Sequence, residues 1–321
     1  TTRGNNGMLW TAGADGLSLW KDNSIADTWK IVSSGRGSST YTRCMIQTHD
    51  GTVWLGIDDC GVMRFNPQTK RFTGLPLPGG FMRDIHSLSE DSNGRIWIGS
   101  ELGVYSYAEG KGVRREEIIN KVTGNAIVTS FLWIKNDKLL LTTYGLGAFV
   151  IDMNSGKSVS LTIADSIPSQ RINKAVSDGK GGLWLATHMG LVHVDNALKL
   201  RGIKVYSAAQ GLADNYICAI ATDENGRVWM STFSGVSCLD SKTERIYNYD
   251  YLDFKEACGF YPNGIANTEN GIYLCSTAGL VHFNPMTVGQ NEHISDVQIS
   301  ACEAYSPDGT NTKIISLSPD D

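Results

Sequence analysis

The sequence predicts an all-β fold, a seven-bladed β-propeller of four-stranded blades. One observation is a large anchor residue at Trp10, Trp54, Trp97, Leu140, Trp184, Trp229 and Tyr273, recurring every 43 to 45 residues. The other is the grammar around each anchor: a polar turn, a short apolar strand, a tight glycine turn and a further strand. A fixed period of this length marks a repeat array, and four short strands per period fit one propeller blade. One blade cannot bury both of its faces, so the copies must stack into a ring.

The chain of 321 residues is 41% hydrophobic and 19% charged, too apolar for a disordered segment. Its net charge of −5 carries no basic footprint, which argues against nucleic acid as a partner. No apolar run is long enough to span a bilayer, so any membrane link is expected through segments outside this stretch. Thr1-Thr2-Arg3-Gly4 is a polar lead-in to a strand with no signal peptide, as expected of a mature or truncated end. The 7 cysteines include no CxxC pair, so neither a metal nor a cofactor is expected, and their redox state stays open.

Taken in order, the first blade begins at its glycine turn and is expected to lack an inner strand of its own. In the second, Gly51 leads into the strand around Trp54, and Asn66-Pro67-Gln68-Thr69-Lys70 turns into the outer strand. Asp91-Ser92-Asn93-Gly94 opens the third around Trp97. The fourth is irregular, with Leu140 as anchor, Trp133 in its first strand and a long charged connection, Lys111 to Asn125, before it. Asp178 to Gly182 opens the fifth. In the sixth, Tyr216 to Ala221 is an apolar inner strand and Asp223-Glu224-Asn225-Gly226 its hairpin turn, with side chains and a glycine suited to tight backbone. The seventh ends with Gly279 to Pro285. The propeller is therefore assigned to 1–290 and the opening strands of another β-domain to 291–321. The anchors read as packing rings between blades, and Gly16, Gly61, Gly103, Gly190, Gly235 and Gly279 as turn formers.

The blade signature resembles the regulator-propeller repeat. It stands here as Gly51-Thr52-Val53-Trp54-Leu55-Gly56, Gly94 to Ser100 with Gly103, Gly182 to Thr187 with Gly190-Leu191, and Gly226 to Thr232 with Gly235. Gly259 to Ala266, followed by Asn270 to Leu274, resembles the terminal blade of such sensors, and His293 to Leu317 the start of the triple-tyrosine immunoglobulin-like sandwich that follows it. The resemblance implies a Bacteroidetes hybrid two-component system. This fragment would be its periplasmic sensor, without enzyme activity of its own, and a histidine kinase would lie elsewhere in the polypeptide. It further implies an oligosaccharide ligand, a homodimer, and flanking propeller and sandwich domains.

Propeller ligand sites gather where the turns between second and third strands meet the loops entering the first. Those positions supply the candidate ligand-binding residues: Arg43, Asp58, Arg83, Glu101, Tyr144, Arg171, His188, Asn215, Phe233 and Tyr261. The aromatic rings suit sugar faces, the arginines a carboxylate or sulfate, and the acids, amide and imidazole hydroxyl groups. The competing reading of each is a solvated turn or inter-blade packing. Two other functions use the same architecture: a polysaccharide lyase or glycosidase with acid and base in the mouth, and a protein-binding scaffold. The chain contains no nucleophile elbow, phosphate loop or HExxH motif, and no catalytic residue is assigned.

Overall fold

The computed structural model describes residues 1–4, 7–13, 16–31, 41–76, 84–135, 137–250 and 259–288, and the backbone of 301–305 and 312–316. Residues 1–288 form one unit and 289–321 another. Among the described residues the first unit holds six four-stranded antiparallel sheets and one of three strands. Each is a meander in chain order, as the repeat predicts. In the sixth blade the strands are Ile217–Thr222, Arg227–Thr232, Gly235–Asp240 and Ile246–Tyr249. In the second unit Ala301–Tyr305 pairs with Thr312–Ser316. Most of the expected sandwich segment lies outside the described residues.

The core is a ring of inter-blade seams. Leu140 and Val150 of blade 4 pack with Leu183, Leu185 and Val192 of blade 5. Trp184 and Leu191 of blade 5 pack with Ile220, Val228 and Met230 of blade 6. Because the second strand has a blade on either side, its residues are buried on both faces, as along Val53–Ile57 and Leu183–Thr187. Each buried aliphatic side chain contributes about 1.5–3 kcal/mol through removal from water. The anchors are pinned as well as packed. The indole Nε1 of Trp97 donates to Asp91 Oδ2 at 3.0 Å, and that of Trp229 to Asp223 Oδ2 at 2.9 Å. The hairpin aspartate thus orders its own turn and satisfies the buried indole, a double role that the repeat grammar did not reveal.

Gly235 shows why the turn glycine recurs. Its φ is +130°, and a Cβ there would lie 2.3 Å from the Tyr249 carbonyl oxygen. Only glycine allows both the turn and the approach of the outer strand.

Two expectations are corrected. The first blade does have an inner strand: Thr2–Arg3 pairs with Leu9 and Trp10. Two residues with no apolar alternation are too short to signal a strand by pattern. The stretch from Lys111 to Asn125 is not merely a connection. Gly112–Arg115 is the outer strand of blade 3, and Glu117–Thr123 is an α-helix whose Asn120 bonds the backbone of Val104. Ile119, buried on that helix, joins Trp97 and Val104 in the seam with blade 4.

The ring closes between blades 7 and 1. Leu9 and Trp20 of the first blade pack with Ala266, Tyr273 and Leu280 of the last. The Tyr273 hydroxyl bonds Asn23, and Arg3 meets Glu269 at 3.0 Å.

Candidate functional site

The mouth is assembled by backbone hydrogen bonds between each turn after the second strand and the loop entering the first. Asp58 N donates to Tyr41 O at 3.0 Å, Glu101 N to Asp84 O at 3.2 Å, and Tyr144 N to Ile127 O at 3.0 Å. His188 N donates to Arg171 O at 3.2 Å, and Thr277 N to Gly259 O at 2.9 Å. The turn residues and loop residues therefore share one face, blade after blade.

A second device aims side chains inward. The inner strand of blades 2 to 6 carries a register shift near this face, passing over Arg43, His86, Thr129, Asn173 and Cys218. A β-bulge leaves one residue outside the ladder and redirects its side chain. In blade 7 the irregularity spans the residues between Phe260 and Ile265. The strands are also stitched together there. Ser87 Oγ donates to Val128 O at 2.6 Å, Thr129 Oγ1 to Ile172 O at 2.6 Å, and Asn173 Nδ2 to Ile217 O at 2.7 Å. Arg43, His86, Thr129 and Asn173, with Tyr41, Tyr144, Tyr216 and Asn263, line a cavity of about 300 Å³ at the mouth.

The predicted residues separate into groups. Arg43 and Tyr144 line the cavity. Asp58 is the counter-ion of Arg43, with Asp84 at 3.8 Å. Tyr144, His188 and Phe233 form one aromatic run on three consecutive blades, completed by Tyr216. His188 lies 5.3 Å from Tyr144 and 4.3 Å from Tyr216, and Phe233 stacks on Tyr216 at 4.2 Å and 13°. Arg171 sits over the Tyr144 ring at 5.2 Å. Across the cavity Tyr261 meets Tyr41 edge-on at 6.2 Å. Tyr144 is 46% exposed and Phe233 61%, large rings left open to solvent. Asp58, Arg171, His188, Phe233 and Tyr261 reach the cavity only through these contacts with its lining, and two candidates join none of them. Glu101 remains an exposed turn residue, and Asn215 Oδ1 accepts from Ala208 N at 2.8 Å, bracing its own loop. Arg83 lies outside the described residues.

Sequence reasoning missed His86, Thr129, Asn173 and Asn263. The available signal was register. Arg43, His86, Thr129 and Asn173 each stand eleven residues before the anchor of their blade, Trp54, Trp97, Leu140 and Trp184. Burial and the nearby Arg43 hold His86 below the ordinary histidine range, against the opposing pull of Asp84 and Asp58. Burial and Arg171 do the same to His188. Both imidazoles are therefore neutral at pH 7, and His188 Nε2 lies 3.2 Å from Asn173 Oδ1.

A family model described as two component regulator propeller matches residues 79–101 and 211–234. Those two segments, in blades 3 and 6, are two component regulator propeller repeats. Histidine kinase P4 of Formosa agariphila is 24% identical over 180 residues, covering 52% of this chain and 13% of that protein. The extracellular domain of a hybrid two component system from B. thetaiotaomicron superposes with a TM-score of 0.76 at 24% identity, over 98% of this chain and 43% of that one. The chain thus spans less than half the length of either. Virginiamycin B lyase from Staphylococcus aureus, solved with quinupristin, matches with a TM-score of 0.69 at 15% identity, over 86% and 90%. At such identities the likeness is one of fold, and the same ring occurs in the extracellular domain of a two component system and in a lyase. Among the described residues of this regulator propeller, no helix is long and apolar enough to cross a membrane.

Proposed function

We propose that this regulator propeller is the periplasmic ligand-reading module of a hybrid two-component sensor. It recognises an oligosaccharide at the mouth and passes the signal to a histidine kinase elsewhere in the polypeptide. The observation that carries the reading is the open aromatic run Tyr144–His188–Tyr216–Phe233 beside a cavity that Tyr41, Tyr144 and Tyr216 line together with Arg43, His86, Thr129 and Asn173. Rings exposed to this extent contribute little to folding, whereas apolar faces edged by hydrogen-bonding groups suit the C–H faces and hydroxyls of a sugar. The matched repeats and the two component system and histidine kinase names among the relatives support the same reading.

Signalling adds a thermodynamic condition. The ligand must bind one state of the sensor, here a homodimer with its flanking propeller and sandwich domains, more tightly than the other. Isothermal titration calorimetry against an oligosaccharide panel tests the proposal. Tyr144→Ala and Arg171→Ala should each weaken binding about 3- to 10-fold, the worth of one ring or charge contact of about 0.5–1.5 kcal/mol, without lowering the melting temperature. Retained affinity in both variants would reject this face. Turnover of a saccharide by the purified ring would establish an enzyme, and capture of a protein with no saccharide binding would establish a scaffold.

A further inference from the structure

Behind the aromatic rim the inner strands enclose a channel of about 340 Å³, which shares Arg43, His86, Thr129 and Asn263 with the mouth. That volume falls at the lower end of ligand pockets, about 300–1,000 Å³. Its wall combines hydroxyls, apolar groups and cations, and among the described residues no Asp or Glu lines it.

The cations differ in their partners. Arg3 meets Glu269, and Arg43 meets Asp58 and Asp84. Lys174, on the inner strand of blade 5, has no ion pair and no hydrogen bond among the described residues, and no neighbouring charge offsets its burial. The inner-strand residues at the ladder position of Lys174 in blades 2, 3, 4 and 6 are Cys44, Ser87, Ser130 and Ala219, none of them a carboxylate. Cys44 is no thiolate either, since burial pushes its thiol up to about 12. In the same wall the buried Thr42 Oγ1 has no hydrogen-bond partner. Ser87 and Ser130, by contrast, are committed to Val128 O and Ala175 N. An ammonium held in the middle of a ring without a counter-ion destabilises the free protein, and a methionine, one atom shorter and neutral, would fit without that penalty. An anion entering the channel would meet a charge-assisted donor whose desolvation has already taken place.

We infer that the central channel receives an anionic substituent of the ligand, the carboxylate of a uronic acid or a sulfate ester, held by Lys174 with the Thr42 hydroxyl and the Asn263 amide. This rests on the oligosaccharide reading of the mouth and narrows it to acidic saccharides. The neutral sugar rings lie on the aromatic rim, and the charged group points down the axis.

Calorimetry on the whole chain provides the test, with trigalacturonate, a sulfated carrageenan tetrasaccharide, neutral galactotriose and inorganic sulfate as probes. At least one acidic saccharide should bind ten-fold or more tighter than galactotriose. Lys174→Met should abolish that preference while leaving the affinity for galactotriose unchanged, and Lys174→Arg should retain most of it. Lys174→Gln provides a second neutral variant should the methionine form fail to fold. If acidic and neutral saccharides bind alike, or the preference survives both neutral variants, the anion site is overturned and the sugar-binding mouth stands. If sulfate alone binds, and only with Lys174 present, the anion site stands and the saccharide reading falls. Absence of binding by all four probes overturns both.

Discussion

Replacing Lys174 by methionine should stabilise the unliganded ring, by an amount that depends on pH. Burial holds the Lys174 ammonium down to about 8 from an ordinary value of 10.5. Each unit of that gap is worth about 1.4 kcal/mol, so the charged lysine costs the folded state up to about 3 kcal/mol. The sign follows from proton counting. Between pH 8 and 10.5 the unfolded chain binds more protons at this site than the folded one, so stability rises with pH across that window. Below pH 8 both states are protonated and the full penalty is present; above 10.5 both are neutral and it vanishes. Lys174→Met should therefore gain about 2–3 kcal/mol at pH 7, or roughly 4–6 °C in melting temperature for a ring of this size. The gain should shrink towards zero by pH 10.5. Paired urea titrations of parent and variant at pH 7, 9 and 10.5 measure it, since other titrating groups cancel in the difference. A variant less stable than the parent at pH 7, or a difference independent of pH, would refute the placement of Lys174 as an unpaired, partly buried charge.

Three further outcomes test other links. Gly235→Ala should lower stability by about 2–4 kcal/mol in chemical denaturation, because it combines a left-handed backbone with a contact at 2.3 Å; a loss under 0.5 kcal/mol would show that the turn relaxes freely. Asp223→Ala should cost about 2–4 kcal/mol, since it strips a buried partner from Trp229 Nε1 and from Arg227 Nε, 2.7 Å away; Asp223→Asn should recover part of the loss by retaining the side-chain acceptor. Histidine-labelled NMR should find the His86 and His188 imidazoles titrating below the ordinary value of 6.5, with His86 rising when Arg43→Gln removes the neighbouring cation; a titration at or above 6.5 in the parent would contradict the burial argument.

Some of the site was visible in the chain because repeats constrain local geometry. The turns at Tyr144, His188 and Phe233 differ between copies whose surrounding strands do not, so variable side chains on fixed turns could be placed on one face. Asn215 was placed by the same logic. Its position in the repeat was right, but its amide serves the backbone of Ala208, seven residues earlier, a choice that depends on the local loop path. Glu101 shares the turn position of Tyr144 yet stays on the exposed rim. Position in a repeat assigns a face and leaves the direction of the side chain open.

The sequence by itself determined the seven blades, their strand order, the packing role of the anchors and the face on which the turns gather. These follow from hydrogen bonding and burial between residues close in the chain, repeated at a constant interval. The tertiary structure decided the rest. The two-residue strand Thr2–Arg3 exists because a neighbouring strand offers it a ladder, not because of its own pattern. The bulges turned Arg43, His86, Thr129 and Asn173 towards the mouth, where the carbonyls of the next blade hold Thr129 and Asn173. The lack of a partner for Lys174 among the described residues is a property of the ring rather than of one blade. It depends on which groups the other inner strands contribute to the channel, residues far apart in sequence that only closure of the propeller brings together.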